Sequence, residues 1–178
     1  CRVGMYPRRG LGAHTGLYTD MYHPDAAYVS WVTGRNGITT FDLYARWIEF
    51  GVFSPLVRLH SQYENPKDGN LRMPWTYGQQ GIDLVKRYFR LRYQLLPYIY
   101  TYSRIAYDDA LPLVRPLYLE YPSLAKAYAY PKEYFFGNEI LVSPIADPSG
   151  EEEIYLPPGS WTDYFTGKTY NGDSLLGV

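Results

Sequence analysis

The most regular hydrophobic pattern of the chain runs from Ile82 to about Asp108. Large side chains recur there at spacings of three and four residues, which predicts an amphipathic helix over roughly 82–107 with one buried stripe. The predicted stripe comprises Val85, Tyr88, Phe89, Arg92, Leu95, Leu96, Ile99 and Tyr102. Pro97 lacks an amide proton and crowds the carbonyl four residues back, so we expect it to kink the helix or to end its first half.

A second pattern lies between Phe41 and Ser61. Apolar residues at Leu43, Trp47, Ile48 and Phe50 predict a helix that Gly51 closes. The short apolar run that follows, Val52–Leu59, predicts a buried strand, which would place Arg58 and His60 on one face. In a barrel enzyme the carboxyl end of such a strand is where the substrate lies.

From Leu111 onward the pattern changes to short β-rich runs separated by proline, glycine and aspartate. This change predicts antiparallel strands after residue 111 and a domain boundary near 108–112. Residues 1–40 are less regular, and Tyr28–Val32 is their best strand candidate. The polar stretch Ser61–Gly69 is interpreted as a solvated loop.

Composition narrows the possible functions. The 178 residues suffice for one ordinary domain, or for a small domain and part of another. With 17 basic and 18 acidic residues, the charge balance argues against nucleic-acid binding and against a membrane-binding polybasic patch. No apolar run approaches the length of a transmembrane helix. The 21 tyrosines suit sugar binding, although ordinary core and surface positions explain most of them.

The residue types that bind metals or act as nucleophiles show no recognisable spacing. The single cysteine, Cys1, cannot form an internal disulfide, and the histidines His14, His23 and His60 lack metal-ligand spacing. No G-x-S-x-G motif is present. We therefore expect no metal and no other cofactor.

The segment Phe41–Ser61 resembles the signature of glycoside hydrolase family 31, E-L-x-x-R-W-x-x-x-G-x-F-x-P-x-x-R-x-H. The matching positions are Asp42, Leu43, Arg46, Trp47, Gly51, Phe53, Pro55, Arg58 and His60, with an aspartate in place of the first glutamate. Five further blocks resemble the family in the family's own order: Arg72–Gly78, Leu91–Ser103, Leu113–Pro122, Phe136–Ile145 and Ile154–Gly167. The resemblance covers about three quarters of the chain.

This resemblance implies an α/β fold. Residues 1–110 would be the C-terminal portion of a (β/α)₈ catalytic barrel, and residues 111–178 would begin a small antiparallel β-sandwich domain. A complete barrel takes about 250 residues. The strands with both catalytic carboxylates would then lie upstream of Cys1, and another polypeptide segment would complete the barrel.

The implied function is retaining hydrolysis of O-glycosidic bonds in α-glucosides or α-xylosides, with an oligosaccharide or glycoside as substrate. The resemblance implies that His60 bonds sugar hydroxyls and that Arg58 holds the nucleophile ionised. Asp20 is the catalytic candidate nearest to the family's acid/base segment, but it stands too close to Trp31. The nucleophile pattern W-x-D-M-x-E is absent, so we expect the chain alone to be inactive.

An alternative is a non-catalytic relative that binds glycans or serves as a scaffold. Trp31 occupies the position of a family aspartate, which favours this alternative, whereas the intact Arg58 and His60 favour the enzyme.

Overall fold

A computed structural model of the chain describes residues 3–5, 17–19, 41–58, 73–145 and 151–178. Near the amino terminus, strands β1 (Val3–Met5) and β2 (Leu17–Thr19) pair antiparallel, with Gly4 opposite Tyr18. The predicted strand Tyr28–Val32 and the candidate Asp20 lie outside the described residues, as do His60 and the loop Ser61–Gly69.

Helix α1 spans Phe41–Val52 and buries Leu43, Tyr44, Ile48 and Val52. Gly51 therefore lies inside the helix rather than closing it. The strand predicted from Val52 is wrong over the described part of that run, up to Arg58: the chain turns at Phe53 and has no regular structure beyond Pro55. The physical reason is that Val52 completes the helical series Tyr44, Ile48, Val52 instead of starting an alternating one.

The long helical pattern forms two helices, α2 (Gly78–Gln94) and α3 (Leu96–Asp109), preceded by a 3₁₀ turn over Pro74–Tyr77. The predicted interruption at Pro97 is confirmed, because Pro97 lies in the first turn of α3, where an amide proton is not required. The break at Leu95 is slight: its amide still bonds the carbonyl of Leu91 at 3.0 Å. Ala110, in the left-handed conformation with a φ of 55°, ends α3.

Antiparallel strands follow, as predicted. Strands β3 (Val114–Pro116), β4 (Tyr134–Phe136) and β5 (Ile140–Val142) form one sheet in the order β3-β4-β5. Two short helices, α4 (Leu117–Glu120) and α5 (Lys126–Ala129), lie between β3 and β4 in the chain. Strand β6 (Glu153–Leu156) pairs with β9 (Ser174–Gly177), and β7 (Ser160–Thr162) pairs with β8 (Thr169–Asn171).

Two hydrophobic clusters form the core. The first joins the buried faces of α1, α2 and α3 to residues of the β3-β4-β5 sheet, with Phe53 edge-on to Phe136 at a ring-centroid distance of 6.2 Å. The second lies within the β-strand region and contains Leu117, Phe135 and Tyr155. The helical part and the sheet thus share one core. Among the described helices, none is long and apolar enough to cross a membrane.

Candidate functional site

The turn at the carboxyl end of α1 is held by the side chain of Arg92, which projects from α2. Its Nη1 donates to the carbonyl of Val52 at 2.7 Å and also to the carbonyl of Ser54. Its Nη2 donates to the carbonyl of Pro55 at 2.7 Å. Burial lowers the pKa of Arg92 from its usual value, but a guanidinium remains charged in proteins. A positive charge therefore lies at the negative end of the α1 dipole.

The remaining carbonyl of this turn, that of Phe53, accepts a hydrogen bond from Tyr134 Oη at 3.1 Å. Tyr134 belongs to β4, so the bond links the turn to the β-strand region. Burial raises the pKa of Tyr134, which keeps the hydroxyl protonated and able to donate. Ser54 is 2% exposed, and its Oγ donates to the carbonyl of Phe50 at 3.0 Å.

Arg58 follows this turn by three residues and its side chain is exposed. The prediction that Arg58 and His60 point into one polar cleft is not tested, because His60 lies outside the described residues. The same holds for Asp20. The structure does describe the turn that connects α1 to Arg58, and this turn is held by Arg92 and Tyr134.

A cavity of about 500 Å³ lies between α1 and the strands after residue 139. Its polar lining includes Asp42, Arg46, Glu49 and Asp163. Arg46 Nε is 3.2 Å from Asp42 Oδ2, and Arg46 Nη1 donates to the carbonyl of Ile145 at 3.3 Å. These contacts connect the helix to the end of the β3-β4-β5 sheet.

Two further carboxylates of the lining, Glu49 and Asp163, also have structural partners. Glu49 accepts a hydrogen bond from Tyr88 Oη at 2.7 Å, and burial together with this bond raises the pKa of Tyr88 to about 12. Asp163 accepts backbone bonds from Thr166 at 2.7 Å and Phe165 at 2.8 Å, which lower its pKa. Asp42, Glu49 and Asp163 are therefore engaged in structural contacts at this cavity.

Two charged residues are buried in the β-strand region. Arg115 is 2% exposed and pairs with Glu120, while its Nη1 donates to the carbonyl of Pro112 at 2.9 Å and its Nη2 to that of Gly137 at 3.1 Å. The buried charge is therefore neutralised and hydrogen-bonded, as a stable fold requires.

The second buried charge, Glu133, is also 2% exposed, and its Oε1 accepts the backbone N–H of Tyr155 at 2.8 Å. Its Oε2 is buried and has no hydrogen-bond partner within the described part of the chain. Burial raises the pKa of Glu133 to about 7, against the effect of the Tyr155 bond, and the charge of Glu152 adds to the rise. Lys132, the preceding residue, is paired with Glu152 at 2.9 Å.

Sequence reasoning placed both Arg92 and Leu96 in the buried stripe of the helix. The structure leaves Arg92 half-buried and Leu96 45% exposed, so the prediction is wrong for Leu96. The sequence also did not reveal that Arg92 binds a turn 40 residues away. The available signal was an arginine within an otherwise apolar stripe. Arg115 and Glu133 were missed, although each interrupts a β-rich run with a charge. Among the described residues, no group of three histidine, cysteine, aspartate or glutamate side chains could hold a metal ion.

The described residues thus combine helices and antiparallel strands around a shared core, with the Arg-Trp motif on α1. The family model described as "Glycosyl hydrolases family 31 TIM-barrel domain" matches residues 12–102. The model "Glycosyl hydrolase family 31 C-terminal domain" matches residues 110–176. The chain belongs to glycosyl hydrolase family 31.

Sequence similarity to individual proteins supports the family assignment. The chain is 39% identical over 136 residues to a 1,6-alpha-glucosyltransferase of Sporosarcina globispora, covering 76% of this chain and 10% of the relative. It is 36% identical over 135 residues to alpha-glucosidase 2 of Bacillus thermoamyloliquefaciens (75% and 17%). It is 33% identical over 139 residues to an alpha-xylosidase of Saccharolobus solfataricus (77% and 18%). The chain thus spans between a tenth and a fifth of these relatives' lengths.

Solved structures show the same likeness. A dextranase of Flavobacterium johnsoniae complexed with isomaltotriose superposes with a TM-score of 0.70 at 36% identity, covering 77% of this chain and 16% of that one. A cycloalternan-forming enzyme of Listeria monocytogenes in complex with a pentasaccharide substrate gives a TM-score of 0.74 at 30% identity (79% and 14%).

Proposed function

We propose that this chain is a C-terminal part of an α-glycosidase that cleaves O-glycosidic bonds in α-glucosides or α-xylosides with retention. The observation that carries the proposal is the match of both family 31 domains, in order, along one chain. The names of the relatives, which include an alpha-glucosidase and an alpha-xylosidase, supply the reaction and the substrate class.

In this proposal residues 1–110 are the C-terminal portion of a (β/α)₈ barrel and residues 111–178 begin a β-sandwich. Supporting this division, α3 ends at Asp109 and every described strand pair beyond it is antiparallel. Arg58 and His60 bind substrate, and the exposure of Arg58 leaves its guanidinium accessible. Asp20 is a candidate acid, but its short distance in sequence from Trp31 argues against it.

A further polypeptide segment completes the barrel. Four large side chains on one side of α2 and α3 support this part of the proposal: Tyr93, Leu96, Tyr100 and Tyr107, which are 72%, 45%, 79% and 80% exposed. Barrel helices pack one face against the parallel sheet they surround. Such a sheet would cover this aromatic stripe, which is large for a free surface.

A glycan-binding relative without catalysis is the second candidate, favoured by Trp31 at a position where the family has an aspartate. Oligosaccharide would then bind without turnover. Neither candidate includes a nucleic-acid or membrane partner.

The test uses the full-length protein that contains this chain. Aryl α-glucosides and α-xylosides should be hydrolysed, and Arg58→Ala and His60→Ala should each reduce kcat/KM by at least about tenfold, as loss of a charged or polar substrate contact does. Arg104→Ala is the matched control, because Arg104 is 68% exposed and pairs only one turn away, with Asp108. Unchanged kinetics in both site variants would remove this motif from the site.

The 178-residue chain alone should not turn over these substrates, since retention needs a nucleophile and a separate acid. Turnover by the isolated chain that is lost in Asp20→Asn would contradict this expectation. Sugar binding by the full-length protein without turnover would support the second candidate.

A further inference from the structure

Among the described residues, two side chains donate hydrogen bonds to four successive backbone carbonyls, those of residues 52–55. Arg92 bonds the carbonyls of Val52, Ser54 and Pro55, and Tyr134 bonds that of Phe53. Helix ends leave their last carbonyls without backbone partners, and most are satisfied by water or by a local turn. Here the carbonyls are bound from α2 and from β4, which lie about 40 and 80 residues further along the chain.

The guanidinium is suited to this task because it is planar and carries five N–H donors in fixed directions. A lysine ammonium at the same place would keep the charge but could not bond three carbonyls in this geometry. The Tyr134 ring is 9% exposed and packs edge-on against Phe50 at a ring-centroid distance of 6.0 Å. The positions of these two donor side chains therefore determine the position of the turn.

The turn ends three residues before Arg58. Three residues of extended chain span at most about 10 Å, so a shift of the turn moves the backbone at Arg58 directly. Enzymes are sensitive to such shifts, since a displacement of about 1 Å can reduce the rate by roughly 100-fold.

We infer that Arg92 and Tyr134 are positioning residues that fix the turn preceding Arg58, and that they thereby set the position of Arg58. The inference rests on the proposed function, because it assigns Arg58 to the substrate site. It also implies that the β-strand region contributes to catalysis, because Tyr134 of β4 helps to position the turn of residues 52–55.

The experiment compares Arg92→Lys and Tyr134→Phe in the full-length protein, with Arg104→Lys as the control on α3. Arg92→Lys should lower kcat/KM about 10- to 100-fold, and Tyr134→Phe, which removes one hydrogen bond and keeps the ring, about two- to tenfold. Arg104→Lys should leave kcat/KM unchanged. Rates are measured below the unfolding transition of each variant, so that only folded protein is compared.

A double-variant cycle separates positioning from general stability. If Arg92 acts through the Arg58 segment, Arg92→Lys should have little further effect on kcat/KM once Arg58 is replaced by alanine. Multiplicative losses in the double variant would overturn the inference. So would unchanged kinetics in Arg92→Lys with a large loss in Arg58→Ala, whereas an unaffected Arg58→Ala variant would instead contradict the proposed function.

If Arg92→Lys does not fold, Tyr134→Phe tested singly and together with Arg58→Ala provides the same cycle through the other donor. A Tyr134→Phe protein with wild-type kinetics would then overturn the assignment.

Discussion

Replacing Glu133 by glutamine should change how the stability of the β-strand region depends on pH. The carboxyl is buried and accepts one backbone hydrogen bond, and no described residue bonds its Oε2. Its pKa is raised from 4.5 to about 7 because burial disfavours the charged form. The folded state therefore holds the proton more tightly than the unfolded state does. Stability should fall as pH rises from about 4.5 to about 7 and stay constant above.

The magnitude follows from the shift in pKa. At 1.36 kcal/mol per unit, the raised pKa corresponds to roughly 3 kcal/mol of stability lost between acid and neutral pH. Glutamine is uncharged, keeps the acceptor that Tyr155 uses and resembles the protonated acid in shape. Glu133→Gln should hence match the wild type near pH 4.5 and be more stable by up to about 3 kcal/mol at pH 8.

The Tyr155 amide donates to Glu133, so its hydrogen exchange reports the local stability of the β-strand region in the full-length protein. The measured rates are first corrected for the pH dependence of intrinsic exchange. The wild-type amide should be less protected at pH 8 than at pH 5, and Glu133→Gln should be equally protected at both. Glu152→Gln is the control, since Glu152 contributes less to the raised pKa than burial does. Parallel pH profiles in the wild type and Glu133→Gln would refute the reasoning.

Substitutions at two further sites, Gly137 and Arg115, test the packing. Gly137→Ala should destabilise the fold by about 2–4 kcal/mol in urea unfolding, because the added Cβ would lie 2.1 Å from Tyr98 Oη at a φ of +67°. Gly167→Ala, at a φ of +74° with nothing within 4 Å, should cost only about 1 kcal/mol, and equal losses would show that the Tyr98 contact is irrelevant. Arg115→Met should destabilise by roughly 2–4 kcal/mol in the same unfolding assay, because the carbonyls of Pro112 and Gly137 lose their buried donor. A neutral result would show that these bonds add no net stability.

Periodicity alone was enough to predict the helices around Pro97 and the antiparallel strands beyond residue 111. Both signals are local, since amphipathic spacing and turn residues act within a few positions. The family resemblance was carried by short motifs in fixed order and needed no tertiary information.

The segment after Val52 shows where local reasoning fails. The apolar run that starts at Val52 suits a buried strand, yet Val52 completes the buried face of α1 and Leu56 is 84% exposed. The turn itself depends on an arginine 40 residues away. The partner of Tyr134, the Phe53 carbonyl, lies 81 residues from it in the chain. Neither contact has a spacing that a sequence pattern can reveal, because only the folded chain brings the groups together.

The hydrophobic cluster that joins α1, α2 and α3 to the β3-β4-β5 sheet should also limit the exchange of C-terminal domains between relatives. Phe53 contacts Phe136 and Phe50 contacts Tyr134 across the boundary between the two family regions. A C-terminal domain taken from another enzyme would need side chains that pack against the helices in the same way. Recombination between relatives should therefore succeed when the crossover lies upstream of Phe41, because the helices and the sheet then come from the same parent. It should fail when the crossover lies near residue 110.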